Sequence, residues 1–288
     1  MIQVREALST AVQTLRNEGV ESPRLDAELL LAHVLGVNRA ALLAWPERRL
    51  KPKELTQHRN LVARRASREP LAYILGCREF FGLDFVVDAR VLIPRPETEL
   101  LVEHALAMGQ QRLLAGQGSI EIADVGAGSG AIGVTLAVRL PQATVYALDG
   151  SVDALAVTAE NARRHGTGRR VRCLHGDLLA PLPGPVDLIT TNLPYVTTQE
   201  WEQLAPEIRR YEPRTALDGG PDGLDLIRSL LETAPPYLRP GGALLLEIGA
   251  GQGDAVTGLA RQHFPHAGVQ LHQDYAGLDR LVVVETDS

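Results

Sequence analysis

The chain has 288 residues and a formal net charge of −6, from 29 Lys and Arg against 35 Asp and Glu. This length exceeds one typical domain and suits two, with ample apolar core. The acidic balance gives no electrostatic footprint for binding a nucleic-acid backbone, although it does not exclude a local basic patch. The two cysteines, Cys77 and Cys173, lie far apart without Cys/His ligand spacing, which argues against a zinc site or a disulfide framework.

The first residues, MIQVREALSTAVQTLRNEG, carry charges where a signal peptide needs an apolar block. No run of about 20 apolar residues occurs anywhere in the chain, so the sequence contains no candidate transmembrane helix. We therefore expect a soluble, cytoplasmic protein with reduced cysteines and no membrane association.

Residues 1 to about 70 have a helical pattern. In the segment SPRLDAELLLAHVLG, Ser22 suits an N-cap, Pro23 the first helical position and Gly36 a stop. Two further helical stretches are predicted, one opening at Asn38 and one over residues 52–70. Apolar residues recur at helical spacing in the first segment at Val4, Leu8, Ala11, Val12 and Leu15. No residues here have catalytic spacing, so the sequence predicts a helical bundle that either docks a partner or serves as a structural cap.

A β-hairpin is predicted after this bundle, around Gly82 in the segment REFFGLDFVV. The prolines Pro94 and Pro96 end this segment, and a new helix is expected to begin at Glu97 or Thr98. The hairpin contains three of the four phenylalanines, Phe80, Phe81 and Phe85. We favour a hydrophobic brace between domains over direct substrate contact as its role.

From about Ser119, short apolar runs alternate with helical stretches. The runs IEIADV, TVYALD, VRCLHGD, DLITTN and GALLLEIG predict strands of a mainly parallel sheet covered on both faces. The runs VQLHQD and LDRLVVVE predict a terminal strand pair. In such sheets ligands bind outside the carboxyl ends of the strands, so candidate site residues should follow the strands directly.

The first of these strands leads into a glycine-rich loop, DVGAGSGAIG. Glycines at 126, 128 and 130 allow tight turns and close backbone approach to a ligand. The spacing of Gly128, Gly130 and Gly133 also fits the dinucleotide pattern G-x-G-x-x-G, which alone is weak evidence. Asp124 at the strand end favours a ligand with an ammonium group, such as S-adenosylmethionine, over a pyrophosphate. A structural role for Asp124, capping the loop amides, competes with this interpretation.

The next two strands also end in acidic residues. Asp149 follows Gly130 by 19 residues, and its carboxylate is placed to accept both hydroxyls of a ribose. After the third strand, Asp177 is a candidate acceptor for an adenine amino group and Leu178 a candidate packing partner for the ring. An isolated Gly-Asp pair is more often a turn.

The fourth strand ends at Asn192 in the segment TTNLPY. The Asn192 amide oxygen and the Leu193 carbonyl offer two acceptors, and Tyr195 offers a ring face. Two such acceptors suit a planar amide or exocyclic amine whose nitrogen faces a methyl donor. Asn and Pro are also ordinary turn formers, so an unreactive turn is the competing interpretation.

Taken over nearly its whole length, the chain resembles the protein-(glutamine-N5) methyltransferases of peptide chain release factors, the HemK-like family. The similarity includes SPRLDAELLLAHVLG, REPLAYILGCREFFGLDFVVDARVLIPRPETELLV, DVGAGSGAIGVTLA, EPRTALDGGPDGLDLIRSLL and LRPGGALLLEIGAGQG. This resemblance implies an α/β class I methyltransferase fold with a Rossmann-like, mainly parallel seven-stranded sheet. It also implies S-adenosyl-L-methionine as cofactor, and as substrate the glutamine of a release factor's Gly-Gly-Gln motif. We expect residues 1–72 to form a substrate-docking helical bundle, residues 73–97 a β-hairpin linker and residues 98–288 the catalytic domain.

Carried over by position, the family's cofactor loop falls on Gly126 to Gly130, its ribose acid on Asp149 and its substrate-amide motif on Asn192 to Tyr195, and the strand ends add Asp124, Asp177 and Leu178. The predicted catalytic residues are Asn192, Leu193, Pro194 and Tyr195. The predicted cofactor-binding residues are Asp124, Gly126, Ala127, Gly128, Ser129, Gly130, Asp149, Asp177, Leu178 and Asn192. No metal site is predicted.

Two positions depart from the family pattern. The family's motif is normally Asn-Pro-Pro-Tyr, and this chain has Leu193 in place of the first proline. The backbone carbonyl survives that change, while the loop gains an N–H and loses a fixed φ. We expect either a modest loss of preorganisation or compensation by packing of Leu193. Leu178 stands where some members have an aromatic residue against the adenine.

Two other functions compete with glutamine methylation. One is methylation of the adenine exocyclic amine in DNA or RNA, which uses a similar Asn-x-Pro-Tyr grip after base flipping. The other is a non-catalytic S-adenosylmethionine-binding protein. The negative charge disfavours the first, and retention of Asn192, Pro194 and Tyr195 disfavours the second. We expect a monomer with a release factor as protein substrate and no direct nucleic-acid partner.

Overall fold

The structure, a computed structural model, describes residues 2–287. The helices are α1 Val4–Asn17, α2 Pro23–Leu35, α3 Arg39–Ala44, α4 Pro52–Ala66, α5 Leu71–Leu75, α6 Glu99–Leu114, α7 Ala131–Arg139, α8 Val152–Arg164, α9 Thr198–Trp201, α10 Pro206–Tyr211, α11 Asp225–Thr233 and α12 Gly253–His263. The strands are β1 Cys77–Phe80, β2 Leu83–Val86, β3 Ile120–Val125, β4 Ala143–Asp149, β5 Val171–His175, β6 Val186–Thr191, β7 Leu238–Glu247, β8 Gly268–Gln273 and β9 Asp279–Glu285. Short 3₁₀ segments occur at Pro96–Thr98, Arg214–Ala216 and Pro235–Tyr237.

These elements form two compact units. The helical unit comprises the described residues up to Cys77 together with Ala205–Tyr211, and the sheet unit comprises Arg78–Leu204 and the described residues from Glu212 onward. The boundaries expected at residues 72/73 and 97/98 remain predictions. The return of Ala205–Tyr211 to the helical unit had no signal in the sequence pattern.

The helical unit begins its helices where the sequence predicts. Helix α2 has Ser22 as N-cap, proline at its first position and Gly36 as a left-handed C-cap with φ +63°. Helix α3 begins after Asn38, whose side chain accepts the Ala41 N–H at 2.7 Å. The last predicted helix was too long, because α4 ends at Ala66 and not at residue 70. The chain turns there through Arg68, whose φ of +72° is incompatible with a continuing helix.

A cluster of charged side chains ties α10 to this unit. The guanidinium of Arg65, which is only 7% exposed, donates to Asp26 Oδ2 at 2.7 Å and to Glu207 Oε1 at 3.1 Å. Arg68 donates to both carboxylate oxygens of Glu207, at 2.6 and 2.7 Å. Buried charges are tolerated only when paired in this way, so removing Glu207 would leave Arg68 without a carboxylate partner and Arg65 with Asp26 alone.

The sheet unit confirms the predicted mainly parallel sheet. Its seven strands have the order β5-β4-β3-β6-β7-β9-β8, parallel from β5 to β7 and antiparallel at β9 and β8. The predicted terminal strand pair is therefore confirmed as β8 and β9. Strand β3 lies between β4 and β6, so the chain reverses its direction of sheet growth there. This switch point opens a crevice at the carboxyl ends of β3 and β6, where ligands bind in such sheets.

The predicted hairpin is also confirmed, as β1 and β2. Its rings of Phe80 and Phe85 are buried and meet edge to face, with centroids 6.1 Å apart. Asn161 on α8 accepts the Val86 N–H at 2.7 Å and donates to the carbonyls of Val86 and Ser129 at 3.0 and 2.9 Å. One fully buried amide therefore joins the hairpin to the glycine-rich loop.

Within residues 2–287, no helix is both long enough and apolar enough to cross a membrane.

Candidate active site

A cavity of about 690 Å³ lies at the carboxyl ends of the strands in the sheet unit, within the size range of small-molecule sites. Eight of the predicted site residues line it: Gly126, Gly128, Asp149, Asp177, Leu178, Asn192, Leu193 and Pro194. The other five do not: Asp124, Ala127, Ser129, Gly130 and Tyr195. The cavity therefore joins the glycine-rich loop and the Asn192 turn in one space, although the two are far apart in sequence.

The glycine-rich loop is held by the end of the neighbouring strand β4. The N–H groups of Gly126 and Ala127 both donate to the Leu148 carbonyl, at 2.9 and 3.0 Å. Gly126 and Gly128 have φ values of +73° and +54°, which residues with a side chain rarely adopt. These turns leave bare backbone facing the cavity, which allows a ligand to approach closely.

Asp149 is fixed by backbone donors on both oxygens. Oδ2 accepts the Gly128 N–H at 2.9 Å, and Oδ1 accepts the Ser151 N–H at 2.8 Å. Each carboxylate oxygen has further lone-pair capacity, so the group remains able to accept hydroxyl donors from the cavity. The loop amides thus hold Asp149 in one orientation before any ligand arrives.

Asp124 occupies a different environment from the one expected of a ligand-binding acid. It is 1% exposed, and its Oδ2 accepts the Gly133 N–H at 2.9 Å. Burial raises the pKa of Asp124 to about 7. A Cβ on Gly133 would lie 2.8 Å from Oδ2, so the helix amide approaches the carboxylate as closely as glycine allows. These contacts support the structural alternative, in which Asp124 binds the start of α7.

The rest of the cavity wall comes partly from residues that the sequence did not mark as site residues. Asp177 and Leu178, both predicted from the sequence, line the cavity. The backbone of Leu178 has a φ of +41°, which is a strained value for a leucine. Residues 89–92, after the hairpin, form a second wall, and Pro213, Thr215 and Ala216 a third. These residues lie within segments that resemble the family, but only the folded chain brings them to the site.

The Asn192 turn begins where β6 ends, with Asn192, Leu193 and Pro194 at the cavity. Asn192 Nδ2 donates to Thr98 Oγ1 at 3.2 Å, which leaves Oδ1 as the free polar atom of this side chain. Leu193 is 4% exposed, and a Cβ on Gly126 would lie 3.3 Å from its Cδ2. That burial fits the expected compensation by packing, while the Leu193 backbone carbonyl is retained.

Tyr195 and Glu247 form a buried pair beside this turn. The Tyr195 hydroxyl donates to Glu247 Oε1 at 3.2 Å. Burial raises the pKa of Tyr195 above its usual range, and burial also raises the pKa of Glu247 to about 7. Tyr195 therefore stays neutral, and its polar end is bound by protein. The sequence did not single out Glu247, although its place at the end of β7 was a usable signal.

The segment after β6 is clamped from two other loops. Gln252 Nε2 donates to the Tyr195 carbonyl at 2.9 Å, and its Oε1 accepts the Gly249 N–H at 2.9 Å. Gly219 and Gly223 pass close to the backbone of this segment. A Cβ added to Gly219 would lie 2.5 Å from the Pro194 carbonyl oxygen, and one added to Gly223 would lie 2.2 Å from the Tyr195 carbonyl oxygen. These contacts fix the path of the Asn192 turn from outside it.

The cavity's polar groups fit S-adenosylmethionine. Bare backbone at Gly126 and Gly128 and the fixed Asp149 carboxylate suit a ribose, and Leu148 and Leu178 give apolar surface for a base. Among residues 2–287, no group of three or more His, Cys, Asp or Glu side chains is arranged to hold a metal ion.

The sheet order, the switch-point cavity and the glycine-rich loop with Asp149 together define a class I methyltransferase fold. A family model described as "Methyltransferase small domain" matches residues 98–210, and one described as "PrmC N-terminal domain" matches residues 6–76. A methyltransferase structure from Pyrococcus furiosus has the same fold, with a TM-score of 0.53 at 18% identity over 73% of this chain and 91% of that one.

Comparison with curated relatives identifies a family within this fold class. A release factor glutamine methyltransferase of Geobacter sulfurreducens is 46% identical over 97% of this chain and 95% of its own. One from Moorella thermoacetica is 48% identical over 96% of each chain. The chain belongs to the release factor glutamine methyltransferase family.

Proposed function

We propose that this protein transfers the methyl group of S-adenosyl-L-methionine to the side-chain amide nitrogen of the glutamine in a release factor's Gly-Gly-Gln motif. Family membership supports the reaction, and one structural observation supports its site. Asp149 and the glycine-rich loop line the same cavity as Asn192 and Leu193. A group held by the first pair would therefore meet a group held by the second.

The cofactor would supply an electrophilic methyl group. The bare backbone at Gly126 and Gly128 would lie against the cofactor. Asp149 would accept its ribose hydroxyls, and Asp177 and Leu178 would contact its adenine. Asp149 is suited to this role because loop amides already orient its carboxylate. Binding then needs little reordering of the chain.

The Asn192 turn would hold the acceptor. Asn192 Oδ1 and the Leu193 carbonyl each accept one hydrogen of the glutamine NH₂ group. An amide nitrogen is a poor nucleophile because its lone pair is delocalised into the carbonyl. Fixing both hydrogens favours pyramidalisation of the nitrogen and aims its lone pair at the methyl group. The nitrogen becomes acidic once methylated and loses a proton, so no base is required before transfer.

The helical unit would dock the release factor. It contains a groove of about 430 Å³ lined by apolar residues including Leu8, Val12 and Leu43 and bordered by arginines. Leu43 and Trp45 are large apolar residues with 44% and 57% of their surface exposed. Exposed aromatic and apolar residues of this kind are common anchors of protein interfaces. Action as a cytoplasmic monomer on protein, without direct nucleic-acid binding, is part of the same proposal.

The reaction is tested with S-adenosylmethionine labelled in its methyl group. The protein is incubated with an intact release factor, with the same factor whose motif glutamine is replaced by alanine, and with DNA or RNA. We expect label only in the first. Label in nucleic acid would favour adenine methylation, and no label in any substrate would favour a binding protein without catalysis.

Docking is tested with the double substitution Leu43→Glu and Trp45→Glu. We expect KM for the intact release factor to rise by roughly tenfold or more, the scale of losing a hot-spot aromatic. Methylation of a short Gly-Gly-Gln peptide should not change. Leu114→Glu, at an 89% exposed leucine of α6, is the matched control and should leave both substrates unaffected. An unchanged KM for the double variant would place docking elsewhere.

A further inference from the structure

We propose that Glu212 is a positioning residue that clamps two walls of the cavity together and so shapes the cavity for its cofactor. Residues 87–95, here called the strap, contain the second wall, and residues 213–216 contain the third. Glu212 does not itself line the cavity and acts through the strap. The effect on cofactor binding rests on the proposed function, whereas the clamp is a property of the protein alone.

The strap connects β2 to the 3₁₀ segment at Pro96 as irregular chain. Its residues 89–92 line the cavity, and Val91 and Ile93 are buried, with 1% and 6% of their surface exposed. Irregular chain has no continuous ladder of backbone hydrogen bonds, so its course depends on groups that reach it from other segments. The structure shows such groups at both ends of the strap.

The end of the strap next to β2 is held by Asn161. The side chain of this fully buried residue on α8 bonds to both backbone groups of Val86, at 2.7 and 3.0 Å, and donates to the Ser129 carbonyl at 2.9 Å. The strap thus starts from a point that is fixed against the glycine-rich loop. Its far end needs a second anchor to keep residues 89–92 at the cavity.

Glu212 holds that far end with both oxygens of its carboxylate. Oε2 accepts the Ile93 N–H at 3.0 Å, and Oε1 accepts a guanidinium N–H of Arg95 at 2.5 Å. The Glu212 side chain is 1% exposed, so these donors take the place of water around the charge. A buried carboxylate that lost either donor would be poorly compensated, and the contact therefore holds the strap firmly.

The same residue directly precedes the third wall. Pro213 follows Glu212 in the chain, and Pro213, Thr215 and Ala216 line the cavity. The proline ring fixes φ of residue 213, here −60°, which limits rotation between the carboxylate and that wall. One carboxylate therefore sets the separation of two walls that are far apart in sequence.

Loss of Glu212 would affect its two donors differently. The Arg95 side chain is 31% exposed, so it can turn its charge toward water. The Ile93 N–H belongs to a buried residue and stays unpaired unless the strap moves outward into solvent. The favoured response is a shift of the strap, which widens the cavity and weakens its contacts with a bound cofactor.

The first test measures the clamp without cofactor or substrate. Labelling with ¹⁵N-isoleucine reports on the backbone amides of the isoleucines, and Ile93→Val identifies the signal of residue 93. In Glu212→Ala we expect this amide to exchange its hydrogen roughly tenfold faster or more than in the native protein, because its acceptor is gone. Glu212→Gln keeps one acceptor for the two donors and should lie between. Equal protection in all three proteins would overturn the clamp.

The second test measures the dissociation constant of S-adenosylmethionine by calorimetry. If the strap is in place in only about one molecule in ten, the apparent constant rises about tenfold, and we expect a rise of this size or more in Glu212→Ala. Excess cofactor selects the molecules whose strap is in place, so kcat at saturation should stay within a few-fold of native. A faster-exchanging Ile93 amide with an unchanged dissociation constant would overturn the positioning role.

Two comparisons separate the clamp from a general loss of stability. Val256→Ala, at a fully buried residue of α12 outside the cavity lining, should lower the melting temperature and leave the dissociation constant unchanged. Arg95→Lys keeps a charged donor for the single guanidinium contact and should bind the cofactor more tightly than Arg95→Met. Equal affinities in the two Arg95 variants, or a loss in Val256→Ala as large as in Glu212→Ala, would reduce Glu212 to a structural role.

The last comparison combines Glu212→Ala with Arg95→Met. Both changes break one contact, so the double variant should lose little more affinity than Glu212→Ala alone, and multiplicative losses would contradict the clamp. The outcomes also distinguish this inference from the proposed function. If exchange of the Ile93 amide follows the carboxylate but the native protein binds no S-adenosylmethionine, the clamp stands and the proposed function fails.

Discussion

The loop after β3 and the turn after β6 both follow parallel strands and line one cavity, but they are held in place by different parts of the chain. The glycine-rich loop is bonded to Leu148 and Asp149, at the end of the very next strand. The Asn192 turn is held by Thr98, Gln252 and Gly223, which come from three distant segments. Under the proposed function, cofactor binding would therefore depend mainly on the neighbouring strand and on α8, while substrate positioning would depend on segments from across the fold.

The sharpest way to test this separation is Asn192→Ala. It removes the side-chain acceptor for a buried substrate N–H, so methyl transfer should fall by roughly 100-fold or more, as when one transition-state hydrogen bond is lost. Affinity for S-adenosylmethionine should change little, because Asp149 and the glycine-rich loop are untouched. Radiolabel transfer and calorimetry measure the two effects. Intact glutamine methylation in a folded variant would restore the unreactive-turn interpretation.

Gly223→Ala tests the distant support of the same turn. The new Cβ would lie 2.2 Å from the Tyr195 carbonyl, at a φ of +74° that alanine resists. The turn has to shift, and a displacement of about 1 Å near the reacting atoms can cost roughly 100-fold in rate. Gly258→Ala, on α12 with open space around it, is the matched control and should be silent. Loss of cofactor affinity in Gly223→Ala would contradict the separation.

Asp149→Ala is directed at the local loop. The free energy of cofactor binding should weaken by about 1–3 kcal/mol, the scale of hydrogen bonds to a charged group. Asp149→Asn keeps an acceptor for a loop amide and should lose less. Asp254→Ala, an exposed acid in the first turn of α12, controls for the change in net charge. Calorimetry that shows NAD binding and no response to S-adenosylmethionine would overturn the cofactor assignment.

Leu193→Pro has the smallest expected effect. The carbonyl acceptor stays and φ becomes fixed, so activity should be preserved or raised, by no more than about two- to fivefold given the usual gain from a compatible proline. Leu193→Ala is the companion variant. It keeps the carbonyl but leaves a cavity beside Gly126, so it should lower the free energy of unfolding by about 2–5 kcal/mol. Melting curves and rates together separate the carbonyl from the packing. A large fall in rate for the proline variant alone would show that the turn needs the N–H or the backbone conformation of residue 193, and a large fall in both variants would show that the Leu193 side chain matters to catalysis.

Much of the fold could be predicted from sequence because its signals are local. The cap residues of α2, the hairpin at Gly82 and the alternation of strands and helices each occupy a short window. The position of Asp149 at the end of β4 was predictable for the same reason. The end of α4 was missed because a left-handed turn at Arg68 has no strong residue preference to mark it.

The unpredicted parts of the site depend on contacts between remote segments. Thr98 resembles an ordinary N-cap residue, Glu247 an ordinary strand end and Gln252 a loop glutamine, and only the folded chain brings all three to the Asn192 turn. Asp124 shows the opposite difficulty, because the sequence predicted a site residue where the structure has a buried one. Position at the end of a strand does not distinguish an acid that lines the cavity from one that is buried in the protein. The return of α10 to the helical unit depends likewise on the pairing of Glu207 with two arginines.

The tight approach of Gly133 to Asp124 limits how the site can drift in evolution. A Cβ at position 133 would meet the Asp124 carboxylate at 2.8 Å and Val145 at 3.0 Å. A mutation at 133 is therefore unfavourable while the acid is present, and loss of the acid alone frees a helix amide inside the protein. Each single change should destabilise the start of α7, through a steric clash in one case and an unpaired N–H in the other. We therefore expect positions 124 and 133 to change together among related sequences or to stay unchanged.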